Sequence, residues 1–306
     1  MEEQTNKPWQ AENIVTAELA TLLISQQFPK LTVDTILPMG AGWDNTAYLV
    51  NQNLVFRFPR RQIAVDLMTH ESRVLTQIAH RLPLPVPLPI YIGQASTHFP
   101  WPFSGYTLLP GQTACEAALS ANERVAAAKP LAEFLKALHS ITPPKEAPAD
   151  TLGRADPKLR WGRTLAQLNK INTLQIFANM KPLFRQLEEL KDLQELELSP
   201  NQNVLCHGDL YARHILIATN RTPCGIIDWG DVHIGNRAVD LSLAFAFLPP
   251  AGREIFFEYY GTVDRLTLRL AQLRALFSLA TLLVFSHDIK EEALFNEAHW
   301  SLGMIK

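Results

Sequence analysis

The sequence predicts an α+β chain in two lobes, a small β-rich lobe over residues 1–109 and a larger, mainly helical lobe over residues 110–306. Three observations carry that prediction. The length, 306 residues, exceeds what one hydrophobic core usually supports, so a cleft between two lobes is expected. The texture of the chain changes near residues 109–111, from short alternating runs broken by turn residues to longer segments with a helical period. Hydrophobic residues make up 47% of the chain and charged residues 19%, which supplies large cores and excludes a disordered chain.

Taken in order, residues 12–28 read as a helix closed by Pro29. LTVDTILPM (31–39), TAYLV (46–50) and LVFRF (54–58) read as strands, with GAGWDN (40–45) and NQN (51–53) as the turns between them. A helix is expected over 64–79, ended by the rigid LPLPVPLP segment at 82–89, and further strands over 90–93 and 104–109. Pro110-Gly111 then stops the β texture. Leu131, Phe134, Leu135 and Leu138 fall at i, i+3, i+4 and i+7, one apolar helical stripe, and the Pro-rich stretch 142–150 comes next as a surface connection. Helices are expected over 163–171, 176–192, 238–247, 254–260 and 266–285. Short β runs interrupt them at 203–206, 215–218 and 225–228, the last two joined by a turn through Asn220 and Pro223.

Composition narrows the function classes. With 28 Lys+Arg against 30 Asp+Glu the formal net charge is −2, which argues against a broad grip on nucleic acid or on an anionic membrane. Cys115, Cys206 and Cys224 are widely spaced with no C-x-x-C, so neither a disulfide framework nor a zinc ribbon is indicated. The N-terminus is polar, without a basic-then-apolar signal. The most apolar run, 275–285, spans 11 residues and reads as a buried helix, too short to cross a bilayer. A soluble cytoplasmic protein is the expectation.

Polar residues concentrate where the chain is otherwise apolar. His207, Asp209, His214, Asp228, Asp231 and Asp240 fall within 34 residues. If 215–218 and 225–228 pair as an antiparallel hairpin, the start of the first strand lies beside the end of the second. His214 and Asp228 then meet at one open end, with the loop carrying Asp209 against them. Two metal-capable side chains and a further carboxylate are the parts of a phosphoryl-transfer site, in which a carboxylate handles the nucleophile's proton and Mg²⁺ neutralises phosphate charge.

Those residues resemble the aminoglycoside phosphotransferase family, antibiotic kinases with a bilobal protein-kinase-like fold. H-G-D-L-x-x-x-H at 207–214 is similar to that family's catalytic loop, and the resemblance implies Asp209 as the catalytic aspartate. I-D-W-G-D at 227–231 resembles its metal-binding segment, which implies Asp228 as a Mg²⁺ ligand. Position 214 is Asn in many members and His here, as in the macrolide kinases; neutral imidazole also binds divalent ions. Asp240 resembles the buried aspartate that braces the catalytic loop. His207 reads as a loop brace, whereas Asp231 could bind metal or cap the next segment.

The first lobe supports the same reading. Gly40, Gly42 and Asn45 sit in a turn between strands, as a nucleotide-covering hairpin should, since glycines let backbone N–H groups approach phosphates; Trp43 is expected to pack. In 54–58, Val55 and Arg57 point to one face and Leu54, Phe56 and Phe58 to the other. An Arg in such a strand needs an anionic partner. Glu71 supplies one, because Leu67, Glu71, Val74, Leu75 and Ile78 share one helical stripe. Arg57 with Glu71 matches the Lys–Glu pair that holds nucleotide phosphates in kinases; alternatively Arg60 or Arg61 contacts nucleotide and Arg57 is structural. The resemblance spans roughly residues 36–243 and implies a hinge near 106–109, whose backbone at Thr107 and Leu109 would bind the purine.

The implied activity is transfer of the γ-phosphate of ATP or GTP, with Mg²⁺ on His214 and Asp228, to a hydroxyl of an aminoglycoside-like or macrolide-like acceptor. Glu254, Glu258, Asp264, Glu291 and Glu292 are available to a cationic acceptor, and Phe256, Phe257, Tyr259, Tyr260, Phe285, Phe295 and Trp300 to a macrolide or to the core. A metal-dependent phosphoester hydrolase built on H-x-D-x-x-x-x-H, and an inactive nucleotide-binding scaffold, are the alternatives.

Overall fold

In the computed structural model of the chain, the described residues are 11–42, 44–198 and 203–305. The polar N-terminal decapeptide and Trp43, expected to pack, lie outside them. The chain divides into two compact units, one running to Ala79 and resuming over Val86–Leu109, the other comprising His80–Pro85 and everything from Pro110 onward.

The first unit is a helix, a five-stranded sheet and a second helix. Helix α1 (Ala17–Gln27) begins where the Thr16 hydroxyl accepts the Leu19 N–H at 3.3 Å, five residues later than the sequence pattern suggests. Strands β1 (Ile36–Ala41), β2 (Asn45–Val50) and β3 (Leu54–Pro59) form a meander, and helix α2 (Gln62–Ile78) comes after it. Strands β4 (Pro89–Gly93) and β5 (Phe103–Thr107) complete an antiparallel sheet in the order β1-β2-β3-β5-β4. Residues 31–35, expected to be strand, are a loop. The Asn51 side chain, from a left-handed turn (φ 51°), accepts the N–H groups of Asp34 and Thr35 at 2.9 and 3.2 Å and donates to the Thr32 carbonyl at 2.7 Å. Those bonds take the backbone groups that a ladder would use. On β3 the alternation holds: Leu54, Phe56 and Phe58 are buried, and Phe58 stacks on Phe103 at 4.8 Å.

The second unit opens with strand β6 (Gln112–Thr113) and helices α3 (Ala114–Ala117), α4 (Ala121–His139), α5 (Pro157–Leu174) and α6 (Met180–Glu189). Next come strands β7 (Asn203–Cys206), β8 (Ile215–Ile217), β9 (Pro223–Ile226) and β10 (His233–Asn236), then helices α7 (Ala238–Phe247), α8 (Pro250–Tyr260), α9 (Arg265–Ile289) and α10 (Glu292–Met304). Pro85 belongs here because its carbonyl accepts the Ile226 N–H at 2.9 Å. Strand β10, absent from the sequence reading, pairs antiparallel with β7; HIGN carries no apolar alternation that would have marked it.

Helix α9 extends the helix expected over 266–285 by one residue at its start and four at its end, and so is longer than the apolar run 275–285 alone. Capped by Asp264, whose carboxylate accepts the Thr267 N–H at 2.9 Å, it runs 25 residues and is by length and composition able to cross a membrane. Here half of its most apolar window is buried inside the fold, packed against α5, α7 and α10.

Helix α10 escaped the sequence reading because its inward stripe contains a charge. Leu294, Glu297, Ala298 and Ser301 are all buried. Glu297 takes the Arg124 guanidinium of α4 in a two-oxygen fork at 2.7 and 2.5 Å, and that guanidinium lies over the Trp300 ring at 4.0 Å. Removing one partner strands a buried charge. Glu297→Ala should cost about 3–5 kcal/mol of unfolding free energy in urea titration, whereas the apolar pair Arg124→Met with Glu297→Leu should recover most of it.

Candidate active site

Four short pieces of the second unit build the site: β7 with the loop after it, the turn entering β8, the residues leaving β9, and the start of α7. The hairpin has the register needed, with Ile215 opposite Ile226. The residues just outside it, His214 and Asp228, therefore meet, with Nε2 of His214 3.3 Å from Oδ2 of Asp228. His214 Nδ1 bonds the Asp209 carbonyl oxygen at 2.7 Å, which leaves Nε2 as the ring nitrogen facing the carboxylate. Burial disfavours a charged His214, yet the Asp228 carboxylate outweighs it and raises the ring's pKa above the usual value. An imidazole nitrogen and a carboxylate oxygen 3.3 Å apart can share one divalent ion, so the donor set fits Mg²⁺ or Mn²⁺ with water completing the shell. Asp228 adopts left-handed backbone, φ 62°.

Asp209 projects from the loop with its carboxylate 40% exposed. Lost hydration raises its pKa to about 6, the Asp231 and Asp228 carboxylates push the same way, and His214 and Arg274 oppose them. Such a carboxyl is more basic than an ordinary one.

The loop is held from below. Asp240, fully buried at the start of α7, accepts the N–H groups of His207 and Gly208 at 2.8 and 2.9 Å. His139 of α4 bonds the same carboxylate at 3.1 Å and the Tyr260 hydroxyl at 2.8 Å. Burial alone would raise the Asp240 pKa, but the His139 hydrogen bond and charge keep it below the ordinary value. His139, Cys206 and Asp240 place potential ligand atoms within 4.8 Å of one another, but both Asp240 oxygens are already engaged, so they form a brace and not a metal centre. His207 is a brace too. Its Nδ1 accepts the Asp209 N–H at 3.3 Å, its Nε2 donates to the Ile227 carbonyl at 3.1 Å, and burial lowers its pKa to about 4. With both nitrogens engaged it cannot complete the dinuclear centre that the hydrolase alternative requires. Asp231 is held by Arg154, which also donates to Asp150 at 2.8 Å, so it acts as a salt-bridged strut. Gly208, at φ 91°, has no room for a side chain: a Cβ there would lie 2.2 Å from the Asp231 carbonyl oxygen.

The first unit brings its own residues together. Arg57 and Glu71 meet at 2.9 and 3.0 Å, Glu71 fully buried, and the guanidinium lies 5.9 Å from the Tyr106 ring. Gly40 (φ 144°) occupies the bulge of β1, and the Gly42 N–H closes the hairpin on the Asn45 carbonyl at 3.0 Å. The Asn45 side-chain oxygen is buried without a hydrogen-bond partner among the described residues. Arg60 donates to the Gly42 carbonyl at 2.5 Å and Arg61 pairs with Asp44, so both brace the hairpin. Thr107 ends β5 opposite Leu54, and Leu109 closes the unit.

Several residues were missed or misread. Arg154 and His139 support the loop and its neighbours, and Arg274 lies 4.0 Å from Asp209; an arginine directly ahead of the apolar run 275–285 was the one legible signal. Of the carboxylates held available for a cationic acceptor, Asp264 caps α9 and pairs with Arg237, and Glu291 pairs with Arg213. Phe256 and Tyr260 are buried and stacked at 5.9 Å, so these aromatic residues fill the core.

Residues 35–275 match the phosphotransferase enzyme family. Solved structures with the same architecture include the GDP and kanamycin complex of APH(2″)-IIia, 26% identical over 91% of this chain and 95% of that one, at a TM-score of 0.64. The GDP complex of wild-type aminoglycoside 2′-phosphotransferase-IIIa is 24% identical, covers 94% and 97%, and reaches 0.67. The apoenzyme of macrolide 2′-phosphotransferase MphH from Brachybacterium faecium is 22% identical, covers 93% and 98%, and reaches 0.60.

Removing the Asp240 carboxylate leaves two buried N–H groups without an acceptor. Asp240→Ala should lower unfolding free energy by about 3 kcal/mol in urea titration, with Asp240→Asn intermediate.

Proposed function

The chain belongs to the phosphotransferase enzyme family, and from that premise we propose that Asp209 takes the proton of the hydroxyl it phosphorylates. It is a nucleotide-dependent small-molecule kinase, and ATP or GTP is the donor. The observation that carries the assignment is the placement of a partly exposed carboxylate beside the His214–Asp228 pair on one braced loop. In the transfer, the acceptor oxygen bonds to the γ-phosphorus as the bond from that phosphorus to the β–γ bridging oxygen breaks. The nucleoside diphosphate leaves with that electron pair, and the hydroxyl proton passes to an Asp209 oxygen.

His214 through Nε2 and Asp228 through its carboxylate would hold Mg²⁺, which when bound offsets the charge of the phosphates. His214 in turn orients the Asp209 loop through its Nδ1 bond to the Asp209 carbonyl. In the first unit Arg57, held by Glu71, is the cation for the nucleotide phosphates; Gly40, Gly42 and Asn45 form the hairpin over them, and Thr107 and Leu109 offer backbone groups to the base. Likeness alone supports an aminoglycoside or macrolide hydroxyl as acceptor, given the kanamycin in one similar structure and the names of the others.

Asp209→Asn keeps the shape and removes the base. It should reduce kcat by at least about 100-fold in an assay of nucleoside diphosphate release with an accepted alcohol, while the Kd for nucleotide stays within about threefold of wild type. Full activity in that variant would refute the role. His214→Ala and Asp228→Ala should each raise the Mg²⁺ concentration for half-maximal rate by about 10-fold or more.

A further inference from the structure

Most arginines of the second unit are neutralised where they sit. Arg124 is forked by Glu297, Arg154 by Asp150 and Asp231, and Arg213 by Glu291. Arg274 is different. Its side chain is 11% exposed, its nearest anion is Oδ1 of Asp209 at 4.0 Å, and it makes no hydrogen bond to any described residue. A guanidinium has five N–H donors, and burying them without acceptors is costly.

A second cation stands close by. Arg160, buried on α5, donates to the carbonyls of Gly153 and Leu152, both at 3.1 Å, and to no carboxylate. Arg160 and Arg274 both lie over the ring of Phe277, at 4.9 and 5.6 Å from its centroid. Exposed Arg163, one turn along α5, has no ion pair among the described residues. The crowding is felt electrostatically: burial lowers the Arg160 pKa to about 10, and the charges of Arg274 and Arg163 add to the fall. The nearby carboxylates, Asp150 and Asp231, are spent on Arg154. Arg274 is left with hydrogen-bond donors that no described residue accepts, beside the Asp209 carboxylate.

The orientation of Asp209 says which side this is. Its Oδ2 faces His214, 3.9 Å from Nδ1, while Oδ1 faces Arg274. One oxygen thus lies toward the imidazole of the metal-capable pair and the other toward Arg274, whose hydrogen-bond donors no described residue accepts. A hydroxyl approaching Oδ1 would bring the rest of its molecule against Arg274.

We propose that the acceptor carries an anionic group, a carboxylate or a phosphate ester, near the hydroxyl that is phosphorylated, and that Arg274 grips it. This rests on the phosphotransferase reading of the site. It favours an anionic acceptor over the polycationic one that likeness alone supports, because a polycation would meet the like charges of Arg274 and Arg160.

Matched pairs of alcohols test it: gluconate against glucose, and glycerate and glycerol 3-phosphate against glycerol, with kanamycin as the cationic member. Diphosphate release is followed for wild type, Arg274→Gln and Arg274→Lys, and binding of the same compounds is measured by calorimetry on enzyme saturated with ADP and Mg²⁺. The expected result is that the anionic members bind and turn over at least 10-fold better than their neutral partners. Arg274→Gln should remove about 10- to 100-fold of that preference, mainly through KM, and Arg274→Lys should restore part of it. The wild-type panel requires no variant to fold, and melting midpoints separate loss of the cation from loss of structure. Preference for glucose, glycerol or kanamycin overturns the proposal, as does failure of every anionic member to bind. An equal loss of kcat with every acceptor in Arg274→Gln also overturns it, because the cation would then serve the transferred phosphoryl group. Failure of wild type to bind nucleotide would instead refute the phosphotransferase reading itself.

Discussion

The Asp209 loop has almost no regular structure of its own, and its shape depends on one buried carboxylate. Asp240 gathers the first two N–H groups of the loop, while His139 of α4, itself bonded to the Tyr260 hydroxyl of α8, holds Asp240. A charge in such a place is tolerable only because every lone pair that points inward finds a donor. The arrangement transfers the rigidity of α4, α7 and α8 to a turn that could not hold a side chain in place unaided. His207 continues the support upward, tying the N–H of Asp209 to the carbonyl of Ile227 and so linking the loop to the segment that carries Asp228.

Several buried or half-buried arginines of the second unit meet carboxylates in good geometry, and those pairs join elements that are distant in sequence, α4 to α10 and the 150s to the 230s. Such pairs set register and specificity more than stability. Others are served by backbone carbonyls, as Arg253 is by those of Leu248, Phe245 and Met304. Arg274, beside Asp209, has neither kind of hydrogen bond among the described residues. Donors left unmet are expected where a protein has been shaped for a ligand and not for folding alone.

Much of the architecture was legible because hydrophobic period and punctuation agree over most of the chain. Helix α7 was read at its true bounds, since every residue in it is buried and its neighbours are not helical. The hairpin of β8 and β9 was legible from two apolar runs and a turn, and it sufficed to bring His214 and Asp228 together. What failed did so for physical reasons. Residues 31–35 have strand-like composition, but the Asn51 side chain competes for their backbone groups. Helix α10 hid because a buried Glu297 occupies an apolar position, a choice that makes sense only once Arg124 is opposite it. Arg274 and His139 are separated from Asp209 and Asp240 by 65 and 101 residues, and no local pattern encodes a contact of that range.

The left-handed backbone at Asp228 has a consequence for which chemistry this position can host. Longer side chains are held in that region elsewhere in the fold, Gln52 and Gln175 among them, but glycine, asparagine and aspartate enter it at least cost, the last two because a short polar side chain can bond locally. Of those three, one is an anion. Shape therefore narrows the candidates before charge does, and a glutamate, though equally acidic, would carry a main-chain cost of about 1–2 kcal/mol that aspartate partly relieves.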